Sequence, residues 1–260
     1  MARPMPRLAP VIMATLSMNI VGKVALITGS AKRLGRAVSI ELARRGARIA
    51  VHYRSNTHEA EETLQMIRTA GTNGAIFRAE LTDNNAVEKM FQDIAKTFGG
   101  LDILINSASV FSPATADKTT PEMWDSQMDS NAKAPFFVAQ HAARLMKARG
   151  QGKIINMADV AGEVIWPGYF SYSVSKAALI AVNRGLAKSY APQIQVNAIA
   201  PGPVLFPDYY SDEQKKSAIE RTLLKREGSP SDIVNAVVFL IENDYITGEM
   251  IHVDGGRHLM

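Results

Sequence analysis

Seven short apolar runs, rich in β-branched residues, recur along this chain, most of them followed by a longer segment of helical period. The runs are Val24–Thr28, Arg48–Tyr53, Ala75–Ala79, Ile103–Asn106, Lys153–Met157, Gln195–Ile199 and Met250–Val253. They are apolar on both faces rather than alternating, the pattern of strands covered on each side in a parallel sheet. Helical spacing is read over Leu34–Arg45, Glu59–Ala70, Asn84–Phe98, Glu122–Ala148, Ser173–Tyr190 and Asp232–Asn243. Repeated β-α-β units with right-handed crossovers predict an α/β, doubly wound, Rossmann-like parallel sheet of seven strands with helices on both faces. A ligand crevice is then expected at the carboxyl ends of the strands, near the switch in strand order.

Composition narrows the chemistry. The 260 residues include no cysteine, which removes disulfides, thiol nucleophiles and thiolate-bound metals. The net charge of +4 is dispersed apart from Lys32-Arg33, Arg44-Arg45 and Lys215-Lys216, so no nucleic-acid partner is expected. No apolar run approaches the roughly 20 residues of a membrane span. His52, His141, His252 and His258 lack metal-ligand spacing, and no metal site is expected. No internal repeat or linker divides the chain, so residues 23–260 read as one domain, with residues 1–22 as a flexible arm. The segment Val204–Glu227 is expected to close over a substrate.

The first strand runs into Thr28-Gly29-Ser30-Ala31-Lys32-Arg33-Leu34-Gly35 and then a helix. A glycine turn entering a helix presents free N–H groups and a positive dipole end to a pyrophosphate. Gly29 suits the tight turn and Gly35 a close approach. The second strand ends in His52-Tyr53-Arg54-Ser55, without the acid that commonly holds an adenosine ribose 2′-OH. Arg54 and Ser55, with Lys32 and Arg33 nearby, would instead bond a 2′-phosphate, which points to NADPH. Tyr172 and Lys176, four residues apart at a helix start, share one face. A tyrosine is a poor acid near neutrality, and an adjacent ammonium is expected to lower its pKa.

Taken in order, Thr28-Gly29 with Gly35, Asn106-Ser107-Ala108, Asn131, Tyr172/Lys176, Pro201-Gly202 and Thr247-Gly248…Asp254-Gly255-Gly256 resemble the short-chain dehydrogenase/reductase superfamily. The resemblance spans residue 23 onward. It implies a cytoplasmic homotetramer or homodimer, Tyr172 as proton donor, and Lys176 holding the nicotinamide ribose. It also implies Asn131 anchoring a water relay, and cofactor contacts from Glu80, Leu81, Asn106, Ser107, Ala108, Ser109, Pro201 and Gly202.

Two positions depart from the common pattern: Arg33 stands where most members carry glycine, and Asp159 where most carry a catalytic serine. With Ser109-Val110-Phe111 and Ile155-Asn156-Met157-Ala158-Asp159, the chain is similar to pteridine reductases and dihydromonapterin reductases. That similarity implies an Asp159/Tyr172/Lys176 set, Phe111 stacked on a pterin, and Arg33 and Ser109 contacting pterin and cofactor phosphate. The expected activity is NADPH-dependent reduction of a pterin or dihydropterin, with dihydrofolate as a further substrate. Asp159 would donate a proton, bind the pterin amino group, or act through Tyr172; as a plain alternative it is a turn residue. Phe111 is alternatively a core-filling loop aromatic, and Arg33 solely a phosphate ligand. Carbonyl reduction of a 3-oxoacyl thioester or small ketone is the competing enzymatic reading, and a non-catalytic NADP(H) sensor the remote one.

Overall fold

The computed structural model describes residues 17–260. Seven strands form one sheet: β1 (Val24–Ile27), β2 (Arg48–Tyr53), β3 (Gly74–Arg78), β4 (Ile103–Asn106), β5 (Gly152–Met157), β6 (Ile194–Pro201) and β7 (Met250–Val253). Their order is β3-β2-β1-β4-β5-β6-β7, and every pairing is parallel. The fold class and all seven strands expected from the apolar runs are therefore present. Both faces of the sheet are covered. One face packs Ile27, Ile49, Ile105 and Ile199 against Val38 and Leu42 of α1 (Arg33–Arg44) and Ile233 and Val237 of α8 (Pro230–Glu242). The other packs Leu26, Leu104, Ile154 and Val196 against Phe91 and Ile94 of α3 (Asn84–Phe98) and Val138 and Ala142 of α5 (Ala134–Ala148). Burial on both sides removes the alternation that a half-exposed strand would show. Among the described residues no helix is long and apolar enough to cross a membrane.

Sequence periodicity misplaces three features. The continuous helix expected over Glu122–Ala148 is two helices, α4 (Pro121–Met128) and α5, joined by a π-helical turn at Asp129–Lys133. Both segments keep a helical period, so their apolar pattern does not register the wider turn that carries Asn131. The segment Val204–Glu227 contains a helix, α7 (Asp212–Glu220), closed by a capping box between Ser211 and Gln214. It has no buried residue, so it lacked the apolar stripe by which helices are read. The arm expected over residues 1–22 lies, up to residue 16, outside the described residues; in the remainder Met18 and Ile20 are buried in the core beside β1.

The remaining helices, α2 (Thr57–Thr69) and α6 (Phe170–Tyr190), complete the layers. The strand order reverses between β1 and β4, and the loops leaving β1 to β6 bring Gly29, Arg54, Glu80, Ser107, Asp159 and Gly202 to the same edge of the sheet.

Candidate active site

A cleft of about 1000 Å³ follows that edge. One end is walled by Gly29, Lys32 to Gly35, His52 to Ser55, Glu80 and Leu81; the other by Phe111, Asp159, Trp166, Tyr169, Tyr172 and the 203–221 segment.

The glycine turn is built by direct contacts. Gly29 adopts φ +66°, and a Cβ there would lie 3.0 Å from Ala108 Cα. A Cβ on Gly35 would lie 2.6 Å from the Gly29 carbonyl oxygen, so α1 packs onto the turn only because that side chain is absent. The Thr28 hydroxyl accepts from the Ser107 and Ala108 N–H groups at 2.9 and 3.0 Å, joining the β1 and β4 loops. Where α2, α3, α4, α7 and α8 each have a side-chain cap, α1 has none, and its first turn contains no acid. Its N–H groups and dipole end are left to a ligand. These features fit a dinucleotide pyrophosphate, with Arg54 and Ser55 on the cleft wall where the adenosine ribose would lie.

His52 lines the cleft, and its ring has a structural task as well. Its Nδ1 accepts from the Gly29 N–H at 2.9 Å and its Nε2 faces the Ala79 carbonyl at 3.1 Å, which places the proton on Nε2. Both ring nitrogens are spent bracing the glycine turn against β2 and β3. Burial pushes the imidazole down from 6.5 to about 4. As pH falls below 6.5 the unfolded chain binds a proton that the folded one refuses, so stability drains between pH 6.5 and about 4. That loss amounts to about 3 kcal/mol. Thermal melts should therefore show His52→Asn losing less Tm than the wild type on acidification through this window. Equal losses would detach His52 from the acid response.

Asn106 and Asn131 are internal rather than cleft-lining. The Asn106 amide donates to Asn156 Oδ1 at 2.9 Å, and Asn156 in turn donates to Asn183 Oδ1 at 3.0 Å, a buried ladder tying β4 and β5 to α6. Asn131, fully buried, accepts the Val110 N–H at 2.8 Å and the Ser109 hydroxyl at 3.0 Å, and donates to the Val110 carbonyl at 2.9 Å and Ser175 Oγ at 3.0 Å. With these bonds made, the amide fastens the loop that presents Phe111. The side-chain amide is thus committed to that loop and to α6.

At the opposite end of the cleft, Asp159 and Tyr172 meet. The Tyr172 hydroxyl donates to Asp159 Oδ2 at 2.7 Å, while Oδ1 accepts the Ala161 N–H at 2.8 Å. Lys176 Nζ donates to the Met157 carbonyl at 2.9 Å and lies 5.7 Å from the centre of the Tyr172 ring. Burial raises the Asp159 carboxyl above its ordinary value, against opposing hydrogen bonds from Ala161 and Tyr172 and the positive charges of Lys176 and Arg257. Burial lowers Lys176 to about 8. The tyrosine moves opposite to the sequence expectation: burial first, then the Asp159 charge, drive the phenol well above 10. The group that dominates the phenol is the carboxylate it touches, not the ammonium one helical turn away.

The cleft around Tyr172 is aromatic. The Phe111 ring stacks on Tyr169 at 4.4 Å and 7°, and meets Tyr172 edge-on at 4.7 Å. Tyr169 bonds Tyr210 through their hydroxyls at 2.9 Å, and Trp166 packs against Tyr169 at 6.3 Å. Arg33, in the left-handed region at φ +53°, donates to the Leu205 and Phe206 carbonyls. It thus clasps the glycine turn to the segment over the cleft. Trp166, Tyr169, Tyr210 and Arg257 were not singled out from sequence. The first two sit in an irregular stretch between β5 and α6, and only the spacing of Asp159 and Tyr172 around them marks it as site-bearing.

Comparison with known proteins agrees with this architecture. The family model described as enoyl-(acyl carrier protein) reductase matches residues 29–258. The chain belongs to the short-chain dehydrogenase/reductase superfamily. It is 34% identical over 242 residues to the 3-oxoacyl-[acyl-carrier-protein] reductase FabG of Staphylococcus aureus, covering 91% of this chain and 98% of that one. Among solved structures it resembles the FolM alternative dihydrofolate reductase 1 of Brucella canis complexed with NADP, at TM-score 0.88 and 30% identity, covering 93% and 96% of the two chains. A Burkholderia cenocepacia dehydrogenase with bound NADP gives TM-score 0.87 at 30% identity, covering 94% and 96%. As a member of this superfamily the chain is an oxidoreductase.

Proposed function

We propose that this chain is an NADPH-dependent reductase of a C=N bond in a flat heteroaromatic ring, of the pterin or dihydropterin type. The observation that carries the reading is the half-buried Asp159 carboxyl bonded to the Tyr172 hydroxyl at 2.7 Å, at the position where most of the superfamily has a serine. NADPH, when bound along the glycine turn, supplies the hydride. The residues supply the proton and the alignment.

With its pKa raised by burial, Asp159 holds a proton on Oδ2 and reverses the 2.7 Å bond, donating to the Tyr172 oxygen. The tyrosine proton is then free to face a ring nitrogen, and the phenol passes it on while drawing one from Asp159. No phenolate persists, which suits a phenol whose pKa is high. Lys176 fixes the Met157 carbonyl and keeps a positive charge beside the pair. The Phe111–Tyr169 stack offers a flat wall against which a pterin aligns, and such offset aromatic contacts contribute about 0.5–1.5 kcal/mol beyond area burial. The bound pose removes orientational freedom before the reaction. The FolM neighbour supports this reading.

Reduction of a 3-oxoacyl thioester is the second reading, and the FabG relatives favour it more strongly than sequence identity favours the pterin. NADPH oxidation separates the two. Turnover of dihydrobiopterin or dihydromonapterin exceeding that of acetoacetyl thioesters upholds the first; turnover of the thioesters alone replaces it with the second.

Cofactor preference should follow Arg54. Arg54→Asp removes a charge-assisted partner of the 2′-phosphate and should lower the ratio of kcat/KM for NADPH over NADH roughly tenfold or more. An unchanged ratio would assign the preference elsewhere.

A further inference from the structure

Two arginines at the substrate end of the cleft have no acidic partner. Arg221 and Arg257 both line it, beside Gln214 and Ser217. Arg257 is half-buried. Its Nη1 donates to the Ala218 carbonyl at 2.9 Å and its guanidinium lies 4.8 Å above the Trp166 ring. Among the described residues neither arginine has a carboxylate within ion-pair distance, whereas Arg226, on the same segment, pairs with Asp232 at 3.2 Å. The two guanidinium groups repel one another, and burial compounds this at Arg257. The acids that face them are Asp159, which is uncharged when it carries its proton, Asp254, which is engaged by His258 at 2.7 Å, and Glu213, at the exposed edge of the cleft on α7. A like-charged pair converging on a partly dry, aromatic-walled space is relieved by an anion brought in with the ligand. Arginine's planar fork is suited to bidentate pairing with a carboxylate or phosphate.

We infer that Arg221 and Arg257 form an anion subsite, so that the preferred substrate carries a carboxylate or phosphate on the substituent pointing away from the reacting bond. The inference deepens the proposed function, since it rests on the same cleft, but it holds for either substrate class. In a pterin the anion is the glutamate of dihydrofolate or a phosphate on the side chain. In a thioester it is the phosphate of a pantetheine arm.

The test uses pairs that share the reacting group, one member carrying a remote anion and the other none. Dihydrofolate is compared with dihydrobiopterin, and acetoacetyl-CoA with acetoacetyl-N-acetylcysteamine. Whichever pair turns over identifies the substrate class, and the anionic member should have the lower KM. Arg221→Gln, an exposed position that leaves the Trp166 contact intact, should raise that KM roughly tenfold or more, with kcat and the neutral member's KM little changed. A KM that rises equally for both members, or for neither, overturns the subsite.

A second readout does not depend on turnover. In the NADP+-loaded Trp124→Phe protein, glutarate and inorganic phosphate are titrated against Trp166 fluorescence. A saturable change with one or both, abolished in Arg257→Gln and weakened in Arg221→Gln, supports the subsite and shows which anion it prefers. No saturable change, or one that survives both substitutions, overturns it, even where the substrate class has been assigned correctly.

Discussion

Tyr172→Phe should lower kcat by roughly two to four orders of magnitude, the usual contribution of a positioned general acid. NADPH affinity, read by fluorescence titration, should remain within a few-fold of the wild type. The phenyl ring keeps the edge contact with Phe111 at 4.7 Å and loses only the hydroxyl that bonds Asp159. The buried carboxyl then has one bond fewer, from Ala161 alone. Its neutral form is favoured further, because a hydrogen bond to the charged form has gone. If turnover stays near normal, the proton comes from elsewhere, Asp159 or solvent, and Tyr172 is a packing residue. If turnover and cofactor binding fall together, the hydroxyl organises the cleft as a whole.

The fold was the more legible part of the sequence, because sheet burial writes itself into composition. Strands such as Leu104–Ile105 and Ile154–Ile155, covered on both faces, can hardly be read as anything but the centre of a parallel sheet. Tyr172 and Lys176 were legible for a related reason: a four-residue spacing on a helix is also a spatial relation. What failed were relations between residues distant in sequence. That His52 braces Gly29, or that Asn131 is consumed by Ser109, Val110 and Ser175, depends on loops meeting across the sheet edge. A polar residue that reads as a ligand contact is then claimed by the backbone. The sign of the Tyr172 shift failed likewise. Sequence shows that an ammonium is four residues away, but not that a carboxylate thirteen residues back lies at 2.7 Å. Arg257 follows the Asp254-Gly255-Gly256 motif without being marked by it, and its place over Trp166 goes with the turn at Asp254, which accepts from the Gly256 and His258 N–H groups.

Asp159→Ser should move two activities in opposite directions. In the proposed pterin reduction the wild-type carboxyl, its pKa raised by burial, supplies the proton that Tyr172 passes on. A serine hydroxyl, which carries no comparable acidity, replaces it poorly. Turnover should fall roughly 10²-fold or more. Carbonyl reduction has the other requirement, since negative charge develops on the substrate oxygen as hydride arrives at carbon. An Asp159 that has lost its proton opposes that charge, whereas a hydroxyl donates to it. At a pH high enough for Asp159 to have lost its proton, turnover of an acetoacetyl thioester should accordingly rise in the variant. The pH profile carries the same sign. A carboxyl with a raised pKa loses its proton as pH climbs through that value, so wild-type pterin turnover declines through the Asp159 titration, and the serine variant lacks this decline. Should both activities fall in parallel with unchanged pH profiles, Asp159 only holds the turn through Ala161, and the chemistry belongs to Tyr172 alone. Should the wild type already reduce the thioester as well as the variant does, the carboxylate is no obstacle to carbonyl reduction, and the principal argument for a C=N substrate is lost.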